Sequence, residues 1–300
     1  MAFNYSNTKI FEQNTKGEKA ITINKKLWDM YELFYQHIKE EAKRHTNFSS
    51  DKYNGIQLLT CFDSYINKTN KIMCFGKEAN TNAGELFHFS ENYQNDIWYS
   101  YEYAIAHIND ESIYIPKKDC PQTFYLKTRK AISGFDEKAT AEIREKQILS
   151  ILNNNLNKTS FNGKRPEWNE QLSKIIYSEY DFDNFSGNIF LHELNILRPT
   201  HLVFISGKGY TAEIKRAFGE EFLSRIFPLL SCLKLPKKGN NQLPVPVSEP
   251  LTLRKEEIEN LWGIKNYSSL NIIYAFHPSA HLSKARDRYI EELCSFVTQL

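Results

Sequence analysis

The sequence predicts an α/β fold, a three-layer α/β/α sandwich around a short, mostly parallel central sheet of about four strands. Short apolar runs alternate with helical patterns along the chain, which is typical of parallel sheets with crossover helices. The clearest unit spans 188–219. There a helix ends before Pro199, a strand covers about His201–Ser206, and a second helix follows a glycine-containing turn. Three of the predicted strands end in polar residues, the place where open α/β sheets build sites.

Composition narrows the class of protein. A chain of 300 residues that is 41% hydrophobic can bury a sizeable core. The net charge of +2 excludes neither nucleic acid nor a small acidic substrate, so any polyanion site must be a local patch. The cysteines are scattered without a CxxC pair, which argues against a zinc ribbon or iron–sulfur cluster and favours a reduced, cytoplasmic setting. No long apolar stretch or secretory pattern is present, so we expect no membrane association.

The N-terminal part predicts a helix and then a strand. Five residues recur at helical spacing: Leu27, Tyr31, Phe34, Ile38 and Ala42. Asn24 is a possible N-cap of this helix. Residues 71–85 form a short apolar run broken by Gly76, which predicts a buried strand that ends in a polar loop.

The remaining elements are placed by composition and periodicity. Residues 95–108 and 136–152 are expected to be at least partly helical, and 148–160 changes from apolar residues to asparagines, which predicts a strand entering a loop near Asn155. The proline-rich stretch 235–251 is expected to be a loop or insertion. Residues 269–276 predict a buried strand and 284–300 the closing helix. We expect one domain over 1–300, with a helical extension at 1–60 and insertions at 86–150 and 220–268.

The first two strand ends each allow a structural and a functional interpretation. Glu78 can be a solvated residue of a strand-to-helix turn, or a carboxylate that positions water or stabilises positive charge over a substrate. The asparagine run at 153–157 can provide turn conformations. One of its amides could instead read the edge of a base, because an amide offers a donor and an acceptor side by side.

The third strand end is the segment that begins at His277-Pro278-Ser279. A single histidine at a strand end is more often structural than catalytic. It could equally donate a hydrogen bond to an oxygen that gains negative charge. Ser279 and the basic residues that follow could then hold phosphates: Lys284, Arg286 and Arg288.

Together the three segments resemble the uracil-DNA glycosylase superfamily in order and spacing. That family has a first motif of the form Gly-x-Asp/Asn/Glu-Pro, a middle Asn-x-x-Lys and a final HPSPLS-like motif. Glu78 stands at the position of the water-activating acid, and Asn155 and Lys158 match the middle segment. The last motif is matched by residues 277–283, with one additional residue inserted before its leucine and serine. The resemblance covers roughly residues 70–90, 148–219 and 270–290.

The chain departs from the family pattern in its first motif. Ala79 replaces the proline, and Asn80 stands where the uracil-specific branch has a tyrosine that blocks bases with a 5-substituent. The inserted residue in the last motif is His281, which lengthens that loop. No four-cysteine cluster site of the thermophilic branches is present.

The resemblance implies a monofunctional DNA glycosylase that flips out a pyrimidine and hydrolyses its bond to deoxyribose. The implied catalytic residues are Glu78, which orients water, and His277, which donates to the pyrimidine O2. The implied base-binding residues are Gly76, Asn80, Phe87 or Phe89, and Asn155. The implied DNA-binding residues are Lys158, Ser279, Leu282, Ser283, Lys284 and Arg286. No metal or other cofactor is needed, and the expected partner of this monomer is DNA, either a duplex with a flipped nucleotide or a single strand.

The substrate and the function class stay open at this point. Asn80 leaves room for a bulky 5-modified pyrimidine, which would suit antiviral defence, while uracil or a damaged base would suit repair. One rival is a catalytically silent DNA-binding member of the same fold. Another is an α/β enzyme of free nucleotides that holds phosphate with Lys77 and Lys208, although no GxxxxGK[ST] or GxGxxG motif occurs there. A third is an interaction protein whose three motifs coincide by chance.

Overall fold

The computed structural model describes residues 15–45, 48–50, 53–78, 86–87, 128–159, 170–234, 245–276 and 286–298, without the side chains of 77, 78, 286, 287 and 298. The helices are α1 (Glu18–Lys43), α2 (Asp63–Ile66), α3 (Ala141–Ile148), α4 (Glu170–Ile176), α5 (Ile189–Leu197), α6 (Thr211–Phe218), α7 (Glu220–Cys232), α8 (Lys255–Trp262) and α9 (Arg286–Thr298). The strands are β1 (Ile72–Glu78), β2 (Ile151–Asn157), β3 (Tyr180–Phe182), β4 (Phe185–Gly187), β5 (His201–Phe204), β6 (Leu251–Arg254) and β7 (Ser269–Tyr274). Residues 128–133 are also helical.

A five-stranded sheet with the order β2-β1-β5-β7-β6 organises the chain. Its first four strands are mutually parallel, and β6 runs antiparallel to β7 at the edge. The fold is therefore α/β with a mostly parallel central sheet, as predicted, and is consistent with a three-layer α/β/α sandwich. The edge strand β6 was not predicted. Its sequence alternates leucine with a polar residue, but over only four residues directly after the proline-rich stretch 235–251.

Aromatic side chains build the core on one face of the sheet. Phe75, Phe204 and Tyr274 occupy paired positions on three neighbouring strands. Their rings stack with centroids 5.0 Å and 5.7 Å apart. Phe218 of α6 packs edge-on against both phenylalanines. Such ring contacts add to the apolar area that the sheet and helix remove from water.

Helix α1 confirms the predicted apolar stripe but not its predicted start. Four of the five stripe residues are buried: Leu27, Tyr31, Phe34 and Ile38. The helix begins at Glu18, six residues before the expected N-cap Asn24. The Asn24 amide instead forms two hydrogen bonds with the backbone of Cys61, at 2.7 Å and 2.8 Å. A buried asparagine inside a helix can serve in this way because its amide replaces the backbone partner that an irregular segment lacks.

Strand β2 is longer than predicted. The expected loop near Asn155 does not occur there, because pairing with β1 continues through Asn155 to Asn157. Parallel pairing satisfies the backbone groups of this asparagine run and outweighs its turn propensity.

The other predicted elements that fall on described residues are confirmed. Helix α3 lies within 136–152, and α9 closes the chain. Helix α5 begins at the N-cap Asn188, whose side chain accepts two backbone hydrogen bonds, and it ends two residues before Pro199. The predicted helical segment 95–108 lies outside the described residues. Within the described ranges, no helix has the length and apolar character needed to cross a membrane.

Candidate functional site at the carboxyl edge of the sheet

The predicted site segments leave the sheet from one edge. The carboxyl ends of β1, β2, β5 and β7 share this edge, because the four strands are parallel. In the register, Gly76 pairs with Asn155 and Glu78 pairs with Asn157. Strand β7 ends at Tyr274, and the chain then pairs at Ala275 with Phe204 of β5 through a 2.8 Å backbone hydrogen bond. His277 follows two residues later.

Several predicted site residues lie outside the described residues: Asn80, Phe89, His277, Ser279, Leu282, Ser283 and Lys284. Glu78 and Arg286 lie in β1 and α9, with their side chains outside the description. Gly76, Phe87, Asn155 and Lys158 are described. Gly76 is buried in β1, and the half-buried ring of Phe87 lies 6.3 Å from the ring of Phe48.

Asn155 is half-buried, and its amide is held by Gln57. Asn155 Nδ2 donates to Gln57 Oε1 at 2.8 Å, and Gln57 Nε2 donates to the carbonyl of Asn153 at 3.1 Å. A carbonyl can only accept, so the Gln57 oxygen must face Asn155, and the Asn155 oxygen must turn away from Gln57. Gln57, which lies in the segment before β1, therefore fixes the orientation of the Asn155 amide, with Nδ2 toward Gln57 and Oδ1 directed away from it.

Lys158 is placed in the core rather than at a surface. Its ammonium nitrogen lies 2.6 Å and 2.9 Å from the two carboxylate oxygens of Glu193, and both side chains have no exposed surface. The expected contact of Lys158 with DNA is therefore corrected, because its charge is already neutralised inside the protein. A lysine in an Asn-x-x-Lys segment can serve the fold instead of the ligand.

Two further residues complete this buried network around Glu193. Tyr31 donates to one carboxylate oxygen at 2.8 Å, and Asn154 Nδ2 donates to the other at 2.8 Å. Because a carboxylate can only accept, Asn154 must turn its oxygen the other way, where it accepts from the backbone N–H of Asn155 at 2.9 Å. The network thereby connects α1 and α5 to the end of β2 beside the candidate site.

Sequence reasoning missed Gln57, Tyr31 and Glu193. Glu193 carries a usable signal, because it is a lone carboxylate within the apolar stretch of α5. A charge at such a position requires a partner. Gln57 has no comparable signal, since only the tertiary structure brings it to β2.

The buried thiol of Cys74 in β1 lies near the buried guanidinium of Arg129, which belongs to the helical segment 128–133. Burial raises the pKa of the Cys74 thiol to about 12, while the nearby positive charge of Arg129 opposes that rise. Cys74 pairs with Asn153 in the register, at the middle of β1 and β2. Arg129 is 6% exposed, and in the described part of the chain no carboxylate forms an ion pair with it.

A cavity of about 500 Å³ lies at the opposite, amino edge of the sheet. Lys68, Lys71 and Arg198 contribute positive charge to its lining. The Arg198 guanidinium carbon lies 5.3 Å from the centre of the Tyr267 ring and is anchored by a 2.8 Å hydrogen bond from Nη1 to the carbonyl of Lys265. This cavity is separate from the strand ends that carry the predicted site residues.

No family model, curated protein or solved structure matches this chain.

Proposed function

We propose that the chain is a divergent member of the uracil-DNA glycosylase superfamily. In this proposal it is a monofunctional DNA glycosylase that flips out a uracil-like or modified pyrimidine and hydrolyses its glycosidic bond, leaving an abasic site. DNA is its partner, and the reaction needs no cofactor. The specific glycosylase-like form of the α/β fold belongs to the same proposal.

One observation carries the proposal. Strands β1, β2 and β7 are parallel, so the segments of the three motifs leave the sheet at one edge. Glu78 and Asn157 are register partners, and Asn155 pairs with Gly76 two residues earlier. Residues more than seventy positions apart in the chain thereby meet, as a site built on strand ends requires.

The proposed chemistry divides the charge of the transition state between two groups. As the glycosidic bond breaks, the sugar gains oxocarbenium character and the base gains negative charge. The Glu78 carboxylate would orient the attacking water and offset the sugar cation. His277 would donate a hydrogen bond to the pyrimidine O2, a contact that becomes stronger as charge develops there.

The proposed substrate range includes pyrimidines with a bulky 5-substituent. Asn80 stands where the uracil-specific branch has a blocking tyrosine. A smaller side chain at that position would leave room at the pyrimidine C5. Such a substrate would favour a role in defence against viruses with modified DNA, whereas uracil would favour repair.

The test is release of free base from duplexes that carry uracil or a 5-substituted cytosine, with abasic sites detected by alkaline cleavage. We expect Glu78→Gln and His277→Ala each to lower the rate by about 100- to 1,000-fold. The matched control is Glu142→Gln, which removes the exposed carboxylate of an ion pair with Lys146 on α3. This control is expected to keep the wild-type rate.

Three outcomes would contradict specific parts of the proposal. Binding to these duplexes without release of any base would indicate a catalytically silent DNA-binding protein. Release from uracil alone would exclude the wide substrate range. A rate that Glu78→Gln leaves unchanged would remove Glu78 from the catalytic role.

A further inference from the structure

The cavity at the amino edge of the sheet has a lining whose charged residues are all positive. These residues are Lys68, Lys71 and Arg198, and the other described residues of the lining are uncharged. In the described part of the chain, no carboxylate forms an ion pair with any of the three. Like charges gathered around a recess repel one another and attract an anion.

The protein itself holds the Arg198 guanidinium in place. Nη1 donates to the carbonyl of Lys265 at 2.8 Å, Nη2 donates to Asn195 Oδ1 at 2.7 Å, and the group lies over the ring of Tyr267. A guanidinium has five N–H donors, so further donors have no partner among the described residues. Burial lowers the pKa of Arg198, because its charge has lost water. A fixed guanidinium with spare donors is suited to binding phosphate oxygens.

The backbone of Arg198 is left-handed, which is uncommon for an arginine. Arg198 is the C-cap of α5, with φ 49° and ψ 53°. Helices that end in this conformation usually have glycine or asparagine there, because a Cβ is disfavoured. Asn266, with φ 59°, is a second left-handed residue of the same lining. The end of a helix does not require an arginine, so the side chain at this position indicates a role in the cavity.

Thr200 also lines the cavity, and its neighbours determine the direction of its hydroxyl hydrogen. Thr252 Oγ1 donates to Asn271 Oδ1 at 2.7 Å, so Asn271 Nδ2 faces His201 Nε2, 3.3 Å away. That nitrogen must accept, so the His201 ring carries its proton on Nδ1 and donates to Thr200 Oγ1 at 2.8 Å. Thr200 Oγ1 also accepts from the backbone N–H of Lys71 at 2.8 Å.

The hydroxyl hydrogen of Thr200 can therefore be donated to a ligand. Its acceptor among the described residues is the Lys71 carbonyl at 3.3 Å, which already accepts from the backbone N–H groups of Thr200 and His201. A bond of this length to an occupied carbonyl is weak. A negatively charged oxygen is a stronger acceptor. The lining thus offers a neutral donor beside its three positive charges.

We propose that this cavity binds a phosphate dianion, either free or as the monoester of a small molecule. Arg198, Lys71 and Lys68 neutralise its charge, and Thr200 donates to one of its oxygens. The inference is independent of the proposed function and goes beyond it. A phosphomonoester carries about two negative charges at neutral pH and three acceptor oxygens, which suits three cations better than a singly charged phosphodiester does. The volume of about 500 Å³ lies in the range of small-molecule sites.

The cavity is far from the candidate site along the strands. Lys71 directly precedes β1 and Thr200 directly precedes β5, whereas the motif segments follow the opposite strand ends. Strand β1 has seven residues, so roughly 20 Å separates the two edges. A recess holds a compact dianion, whereas an extended DNA backbone is bound along a groove of basic residues. The ligand is therefore a separate small molecule rather than part of the DNA.

The experiment measures binding of inorganic phosphate and of thymidine 5′-monophosphate to the intact protein by thermal unfolding at constant ionic strength. A ligand of the folded state raises the Tm in a saturable manner. Lys71→Gln removes one positive charge from the lining and is expected to weaken the binding of both probes by about tenfold. The matched control is Lys25→Gln on the exposed side of α1, which removes the same charge elsewhere and is expected to leave both affinities unchanged.

A second variant and a comparison of the probes sharpen the result. Lys68→Gln changes an exposed side chain, so the fold is kept, and binding is expected to weaken by about two- to fivefold. Tighter binding of thymidine 5′-monophosphate than of inorganic phosphate identifies a phosphorylated small molecule as the ligand. Equal affinities identify phosphate itself. Either result supports the inference.

Four results would overturn the inference. The first is a Tm that neither probe raises in a saturable manner. The second is an equal loss of affinity in Lys25→Gln and Lys71→Gln, which indicates a general effect of surface charge. The third is dimethyl phosphate binding as tightly as inorganic phosphate, which shows that a dianion is not required. The fourth is displacement of thymidine 5′-monophosphate by a single-stranded oligonucleotide without a terminal phosphate, which assigns the cavity to DNA. None of these measurements involves base release, so failure of the proposed function is a separate result.

Discussion

The ammonium nitrogen of Lys158 lies 2.6 Å from a carboxylate oxygen of Glu193, and neither side chain is exposed to solvent. Lys158 follows β2 directly, and Glu193 lies in α5. The pair therefore ties the end of β2, where the candidate site begins, to a helix that packs on the sheet. It is the charged centre of the network that also orients Asn154.

Removing one partner of this pair is expected to destabilise the protein strongly. Glu193→Gln leaves the Lys158 ammonium buried without a counter-ion, and we expect the free energy of unfolding to fall by about 3–5 kcal/mol. Urea denaturation at neutral pH measures the change. Replacing both partners by apolar residues, Lys158→Met with Glu193→Leu, should recover much of the loss, because no buried charge is then left unpaired. A single variant as stable as the wild type would refute this account.

The Asn24 amide is expected to stabilise the irregular segment before α2. Asn24→Ala leaves the N–H and the carbonyl of Cys61 without their partner, and should cost about 1–3 kcal/mol of the free energy of unfolding. Chemical denaturation provides the measurement. Lys25→Ala, at the adjacent exposed position of α1, is the control and should change stability little. Equal effects of the two substitutions would contradict the prediction.

Gln57 is expected to act as a positioning residue for Asn155. Gln57→Leu removes the acceptor that holds Asn155 Nδ2, so the Asn155 amide can rotate away from its working orientation. We expect base release to slow by about 10- to 100-fold while the protein stays folded. The rate at saturating substrate and the KM should be measured separately, because a purely structural role would leave both unchanged at a temperature well below the Tm. Gln147→Leu on α3 is the control.

Two buried histidines predict how stability depends on pH. Burial lowers the pKa of His192 and of His201 below the usual value of 6.5. The unfolded chain therefore binds protons that the folded protein excludes. Stability is full above about pH 6.5 and falls as the pH drops below that value.

The measurement is the free energy of unfolding at about pH 7.5 and about pH 5.5, where the lower pH should give the smaller value. His192→Phe is expected to reduce this difference, because the ring of residue 192 packs 4.3 Å from the ring of Tyr180 and a phenyl group keeps that contact without titrating. His45→Gln, a change outside the core, should leave the difference as it is. A pH dependence that His192→Phe does not alter would exclude His192 as a contributor.

The sequence by itself determined the α/β class, the four parallel strands of the central sheet, the helices α3, α5, α6 and α9, and the buried stripe of α1. These features depend on local periodicity and on apolar runs, which neighbouring residues carry. The short edge strand β6 and the true start of α1 could not be predicted from these local patterns. The continuation of β2 through residues 153–157 was also not predicted, because pairing with β1 determines it.

Only the tertiary structure decided what each polar residue of the asparagine run does. From the sequence, any amide of the run 153–157 could bind a ligand, and the resemblance singles out Asn155 and Lys158. In the fold, Glu193 forms hydrogen bonds with Lys158 and Asn154. Gln57 forms one with Asn155, whereas the Asn157 amide has no hydrogen-bond partner among the described residues. The physical reason is that a hydrogen bond forms only where a donor and an acceptor lie within about 3 Å of each other. Tertiary packing, rather than the residue type, decides which distant segment lies that close.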